Sequence, residues 1–126
     1  MIATDIADYL EDNSIGTVGT DIFIDALPDT QDDMIAVYNT GGFDADIDIP
    51  VSNPTCEILV RSMSAATAQS TAESIKELLH QKMNSTIMEG GYYFYYIFIM
   101  GDINLIGRDE KQRVEYSINF RTKIRE

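Results

Sequence analysis

The stretch VEYSINFRTKIR, residues 114–125, alternates apolar and polar side chains over its whole length. Alternation with period two is typical of a β-strand that packs one face on a core. We therefore expect a strand over residues 113–125 with Arg121, Lys123 and Arg125 on the solvent side. A terminal strand of this length risks exposing a sheet edge, where cationic side chains discourage pairing with other chains.

A second periodic stretch precedes this strand and has the period of a helix. Ser64 is a suitable N-cap, because its hydroxyl can accept a hydrogen bond from a backbone N–H of the first turn. Apolar residues then recur at steps of three and four, which predicts a helix with one face on a core. The stripe consists of Ala65, Ala68, Ala72, Ile75, Leu79 and Met83.

Weaker patterns predict the remaining elements. Residues 4–13 have helical spacing of apolar side chains, with Thr4 placed as the N-cap. Residues 40–42 are expected to break a strand, and residues 52–54 are expected to form a turn. Strands are expected at residues 21–27, 34–39, 55–63 and 92–100, with a loop or arm at 43–50. Residues 103–106 either extend the last of these strands or form another.

This order of elements predicts an α+β fold. Helices are few and strands mostly follow one another, so we expect two helices on one face of a mostly antiparallel or mixed sheet of about five strands. A length of 126 residues suits a single domain, 1–126. The aromatic-rich run at 92–100 is too short for a spanning helix, which needs about 20 residues. The first residues lack a secretory signal, so we expect no membrane contact and synthesis in the cytoplasm.

Charge is distributed unevenly along the chain. The net charge is −12, and no Lys or Arg precedes Arg61, whereas 13 of the 21 acidic residues do. Binding to nucleic acid requires basic side chains that displace counterions from phosphate, so this composition argues against a DNA-reading protein. An acidic surface can nevertheless line a passage for DNA without binding it, or simply keep the protein soluble.

No constellation in the sequence supports a reaction. Cys56, the single cysteine, lies in a strand-like segment and is expected to be a buried structural thiol. His80 is the only histidine, and no nucleophile lies near it in sequence. Asp44, Asp46 and Asp48 resemble the start of a calcium loop but lack the Gly and Glu required at its sixth and twelfth positions. We expect no enzyme activity, no metal site and no cofactor.

The aromatic run YYFYY at residues 92–96 suits packing better than base stacking. It contains no Lys or Arg, whereas aromatic platforms for nucleic acid lie in basic grooves. Tyrosine is enriched at protein interfaces, where one end of the ring is apolar and the other is wet. Tyr93 and Tyr95 are therefore candidates for a contact between subunits.

Several segments, in order, resemble one family. They are IGTVGTDIFI at 15–24, LPD at 27–29, AVYNTGG at 36–42, the Pro54-Thr55 strand, the alanine-striped helix with Leu78-Leu79-His80, LIGRDE at 105–110 and EYSINFR at 115–121. Together they resemble the minor capsid protein family of phages and prophages of Gram-positive bacteria, which is similar to the tail terminators of long-tailed phages. The resemblance extends from about residue 15 to residue 120.

The resemblance implies a structural role in the virion, at the tail end or neck. Terminators of this kind resemble hexameric rings that cap the tail tube, meet head-side connector proteins and let double-stranded DNA pass through the lumen. In that setting the acidic residues face the lumen or the next subunit, and the basic residues meet acidic partners. The acidic candidates are Asp44, Asp46 and Asp48, and the candidates for the subunit interface are Arg108, Arg121, Lys123, Arg125, Tyr93 and Tyr95.

Three other interpretations remain open at this point. The first is a head-side neck adaptor or completion protein, although such adaptors tend to be more helical. The second is a small hydrolase or metal-dependent enzyme that uses the aspartates, which would need a pocket with perturbed carboxylates. The third is a small prophage binding module that never enters the particle.

Overall fold

A computed structural model describes residues 1–45 and 47–125, so Asp46 and Glu126 lie outside the described residues. Over these residues the chain has two helices and seven strands, an α+β fold as expected, but with seven strands rather than about five. The elements are α1 (Ile2–Asp12), β1 (Ile22–Ile24), β2 (Met34–Phe43), β3 (Val51–Ser62), α2 (Ala65–Leu79), β4 (Lys82–Thr86), β5 (Tyr93–Ile99), β6 (Asn104–Arg108) and β7 (Val114–Arg125).

The strands form one mixed sheet in the order β1-β2-β3-β7-β5-β4, with β6 also paired to β7. Only β1 and β2 run parallel among the described pairs, and the others are antiparallel. β6 pairs with the first residues of β7, and β5 pairs with the last residues of β7. β6 thus continues the line of β5 along the same side of β7. Residues 103–106 therefore belong largely to a separate strand that prolongs its predecessor.

β7 lies inside the sheet and is not an edge strand. Its residues pair with β3 on one side and with β5 and β6 on the other. The expectation of an exposed edge was wrong, because position in sequence does not determine position in a sheet. The predicted alternation is confirmed at the end of the strand: Ile118, Phe120, Thr122 and Ile124 are buried, whereas Asn119, Arg121 and Lys123 between them are partly exposed.

Both helices pack on the face of the sheet that holds Ile118 and Phe120. Side chains of α1 and α2 share a hydrophobic cluster with inward residues of β1, β2, β3, β5 and β7. Small residues in α2, Ala68 and Ala72, are fully buried and let the helix approach the sheet closely. The Ser64 cap is confirmed, since its hydroxyl accepts a hydrogen bond from the Thr67 N–H.

Several boundaries differ from the predicted ones. The first helix begins at Ile2, not at Thr4, because the Asn39 side chain accepts a hydrogen bond from the Ala3 N–H and satisfies a donor of the first turn. The second helix ends at Leu79, since His80 is extended and Gln81 has a φ of +63°. Met83 therefore lies in β4, a strand absent from the sequence-based prediction, and Ala65 is exposed on α2.

The β2–β3 hairpin is longer than expected. Residues 40–42 do not break β2, because Gly41 and Gly42, with φ of +83° and +146°, form an irregularity within the ladder. The predicted turn at 52–54 is likewise part of β3. Pro54 fits there because the pairing of β3 with β7 skips from Ser52 to Thr55, and its carbonyl accepts a hydrogen bond from the Thr122 hydroxyl.

Arg61 anchors the loop before β2 to the face of the sheet that lies opposite the helices. The arginine residue is only 4% exposed, although it carries a charge. Burial of a guanidinium is tolerated when its donors are satisfied, and this one donates to three backbone carbonyls. The acceptors are the oxygens of Pro28 at 2.9 Å, Gln31 at 2.7 Å and Asp32 at 3.4 Å.

Arg113 anchors the same loop from the β6–β7 turn. Its buried guanidinium pairs with the carboxylates of Asp29 and Asp109. Hydrogen bonds from Lys111 and Arg113 lower the pKa of Asp29 to about 2. These ionic contacts link residues more than 80 positions apart and keep the loop in place.

Candidate functional site

The residues that suggested chemistry have structural roles. Cys56 is fully buried, as expected, and burial followed by the nearby Glu57 carboxylate raises the pKa of its thiol to about 12. A thiol with that pKa is protonated at neutral pH and is a poor nucleophile. His80 caps the end of α2, and its Nδ1 accepts a hydrogen bond of 3.1 Å from the Ile99 N–H.

Neither a metal cluster nor a membrane helix occurs in the described residues. No group of three or more His, Cys, Asp or Glu residues there is placed to hold a metal ion. No helix within 1–45 or 47–125 is long and apolar enough to cross a membrane. The features that remain to be explained are two surfaces of contrasting chemistry, one on the sheet and one at a hairpin tip.

The first surface is on the sheet face away from the helices, and we name it the basic–aromatic face. It comprises the outward residues of the end of β7 and of β5: Arg121, Lys123, Arg125, Tyr93, Tyr95, Tyr96 and Phe98. The core-facing residues between them, such as Thr122 and Ile124, are buried. Register places Phe98 opposite Arg121 and Tyr96 opposite Lys123, so a row of rings on β5 lies beside a row of cations on β7.

Both arginines of the basic–aromatic face lie over aromatic rings. The Arg121 guanidinium is 4.6 Å from the centre of the Phe43 ring and 6.0 Å from that of Phe98. The Arg125 guanidinium lies 4.4 Å from the Tyr93 ring centre, and its Nε donates to the Tyr95 hydroxyl at 3.5 Å. The hydrogen bond with Tyr95 raises the pKa of the Arg125 guanidinium above its usual value. Such stacking holds both cations in defined positions.

The aromatic run of β5 divides between core and surface. Phe94 is fully buried in the core, whereas Tyr93, Tyr95 and Tyr96 are half-buried outside it. An irregularity in the ladder between Phe94 and Tyr96 allows neighbouring tyrosines to share the outer side. The Tyr93 and Tyr95 rings meet edge to face at 5.2 Å. Tyr93 and Tyr95 are partly exposed, and the subunit contact predicted for them stays a prediction.

The second surface is the tip of the β2–β3 hairpin, residues 44–50, which we name the acidic arm. Asp44 and Asp48 are exposed there, and Asp46 lies outside the described residues. Ile47 is 99% exposed and Ile49 is 53% exposed. The arm begins beside Phe43, where the Asn53 side chain donates to the Asp44 carbonyl oxygen at 2.9 Å.

The sequence-predicted residues therefore fall into three places. Arg121, Lys123 and Arg125 lie together with the tyrosines, and the acidic arm begins beside them at the same end of the sheet. Arg108 is elsewhere, in β6 opposite Val114, and donates to the Gln112 carbonyl at 2.7 Å. Arg121 follows Val114 by seven positions of extended strand, or about 23 Å at 3.3 Å per position.

Four residues of these surfaces were missed at the sequence level. Phe43, Tyr96 and Phe98 belong to the aromatic set around the arginines. Their positions depend on strand register, which the sequence pattern does not supply. Ile47 could have been chosen from the sequence, because an isoleucine between aspartates in a loop is either buried by the fold or available to a partner.

Comparison with known proteins identifies the family. A model of the family described as bacteriophage tail terminator protein matches residues 9–126. Among solved structures, a chain from the virion of a native gene transfer agent particle has the same fold, with a TM-score of 0.69 and 14% identity over 99% of this chain and 95% of that one. No curated protein matches.

The family match confirms the resemblance to tail terminators. Its members are structural proteins of the phage tail and are not known as enzymes. The match extends from within α1 to the last residue, so it includes the acidic arm and the basic–aromatic face. The chain belongs to the bacteriophage tail terminator family.

Proposed function

We propose that this protein assembles into a closed ring of identical subunits, six in number, that caps the tail tube of a long-tailed phage. The ring stops addition of further tube subunits and presents its other side to the head-side connector. The observation that carries the proposal is the family match over residues 9–126. The ring lies at the tail end of the virion, away from any membrane.

The charge distribution supports a ring through which DNA passes. With a net charge of −12, the chain is repelled by the phosphate backbone, so double-stranded DNA can move through the lumen without binding. Identical subunits close a ring when two different surfaces of each subunit are complementary. The basic–aromatic face and the acidic arm have opposite charge, and both are exposed on a single chain.

Polymerisation of the tail tube protein in vitro tests the capping role. Purified tube subunits are allowed to polymerise alone and with this protein added in substoichiometric amount, and tube lengths are measured by electron microscopy. We expect shorter tubes with a disc of density at one end, because a cap acts once per tube. Unchanged lengths and bare ends would contradict the proposal. A variant chain with an unfolded core serves as the negative control.

A further inference from the structure

We infer that the acidic arm of one copy docks on the basic–aromatic face of a second copy. The inference rests on the proposed ring and specifies which surfaces make its subunit contact. It also chooses between two positions for the arm, the lumen and the neighbouring subunit, in favour of the neighbour.

The arm has apolar side chains that its own chain leaves in water. Ile47 is 99% exposed and Ile49 is 53% exposed. Burial of an aliphatic side chain stabilises a contact by roughly 1.5–3 kcal/mol relative to exposure, so this arrangement favours a partner surface. Exposed isoleucines contribute nothing to a lumen through which DNA passes, whereas a protein interface can bury them.

The face has cations without carboxylate partners. Neither Arg121 nor Arg125 forms an ion pair with a described residue, although the chain carries 21 acidic residues. Asp44 and Asp48 of a second copy are acceptors of the required charge.

The face also has a place for an aliphatic side chain. An open depression lies beside the aromatic row, and it is lined by His80, Gln81, Met83, Tyr96, Ile97 and Phe98. Met83 is 63% exposed, although it is one of the most flexible apolar side chains. An arm with both aspartates and isoleucines suits a surface where a row of cations on β7 lies beside a row of rings on β5.

The arm and the face are different surfaces, so docking is head to tail. Each contact uses the arm of one copy and the face of the next, and it leaves one arm and one face free until a ring closes. Docking of the arm on its own face would bury Ile47, which is instead almost fully exposed. A neighbouring copy is therefore the occupant that the structure favours.

Cysteine cross-linking between copies tests the contact. One chain carries Ile47→Cys, and a second chain with a size tag carries Tyr96→Cys; the mixture is treated with a short thiol-specific cross-linker. We expect tagged–untagged dimers to form at least about tenfold faster than with Gln69→Cys in place of Tyr96→Cys, because docking raises the effective concentration of the two thiols. Gln69 is exposed on α2, and buried Cys56 does not react.

Equal rates for the two pairs would overturn the inference. So would a product found only within one chain when Ile47→Cys and Tyr96→Cys are combined, since the arm would then lie on its own face. A second measurement excludes misfolding: Arg121→Glu with Arg125→Glu should abolish the cross-link, and melting curves should show that this variant is folded. A folded variant that still cross-links at the original rate would also contradict the contact.

The outcomes for the contact and for the proposed function are separable. Cross-links without capped tubes would retain the contact and reject the terminator role. Capped tubes without cross-links would retain the terminator role and show that other surfaces build the ring.

Discussion

At the scale of single residues, buried arginines decide where a loop lies. Arg61 and Arg113 are 4% and 5% exposed, yet both are charged, and both bind the loop that precedes β2. The contacts differ in kind, since Arg61 donates to backbone carbonyls whereas Arg113 pairs with carboxylates. A guanidinium suits both tasks because its five donors are fixed in one plane.

Arg61→Met should destabilise the folded chain. The thioether keeps the apolar stem but leaves the carbonyls of Pro28 and Gln31 without their donor, so we expect a loss of about 2–4 kcal/mol in the free energy of unfolding. Urea titration followed by circular dichroism measures the change. The matched control is Lys111→Ala, which removes an exposed ion pair with Asp29 and should cost less than about 1 kcal/mol. Equal losses for the two variants would refute this role of Arg61.

At the scale of elements, the close packing of α2 on the sheet depends on alanine. Ala68 and Ala72 are fully buried between the helix and the sheet, whereas Ala66 on the same helix is exposed. The larger residues of the same stripe, Ile75 and Leu79, are buried nearer the end of the helix. The small buried residues of α2 therefore come before the large ones along the helix.

Ala72→Leu should strain this contact. The added atoms have no space in a fully packed site, so we expect a loss of about 1–3 kcal/mol in the free energy of unfolding. Ala66→Leu is the control, because the same substitution on the exposed side should change stability by no more than about 0.5 kcal/mol. Urea titrations of both variants provide the comparison. If Ala72→Leu unfolds at the wild-type urea concentration, the packing account is wrong.

Elements with strong periodicity were the ones that the sequence predicted. β7 occurs close to its predicted bounds, and α2 begins where its apolar stripe predicted but ends at Leu79, before Met83. β4 was missed because KMNST has no apolar alternation, and its existence depends on pairing with β5. The length of the β2–β3 hairpin was missed because its glycines and proline are typical of residues that end a strand. In the structure, pairing with neighbouring strands keeps these residues in the ladder.

The site was predictable only in part, for a related reason. The alternation within β7 is a local pattern, and it is enough to predict that Arg121, Lys123 and Arg125 share one face of the strand. Which rings lie beside those cations depends on the register of β5 and on the irregularity within it. The expectation of an edge strand failed in the same way, because pairing partners distant in sequence decide it.

At the scale of the whole molecule, two surfaces of opposite charge lie on one α+β scaffold. The helices and core hold the sheet, the sheet displays the basic–aromatic face, and the β2–β3 hairpin carries the acidic arm beyond it. In the proposed ring, each copy would offer its arm to one neighbour and its face to the other.

Tail length in particles that lack this gene tests the central claim most directly. Electron microscopy of a lysate from the deleted phage should show tails of uncontrolled length, detached from full heads, because tube growth has no cap. Supplying the intact gene in trans should restore one tail length. Free tails of normal length beside full heads would contradict capping and point to a head-side joining role. Normal infectious particles would contradict the structural role altogether.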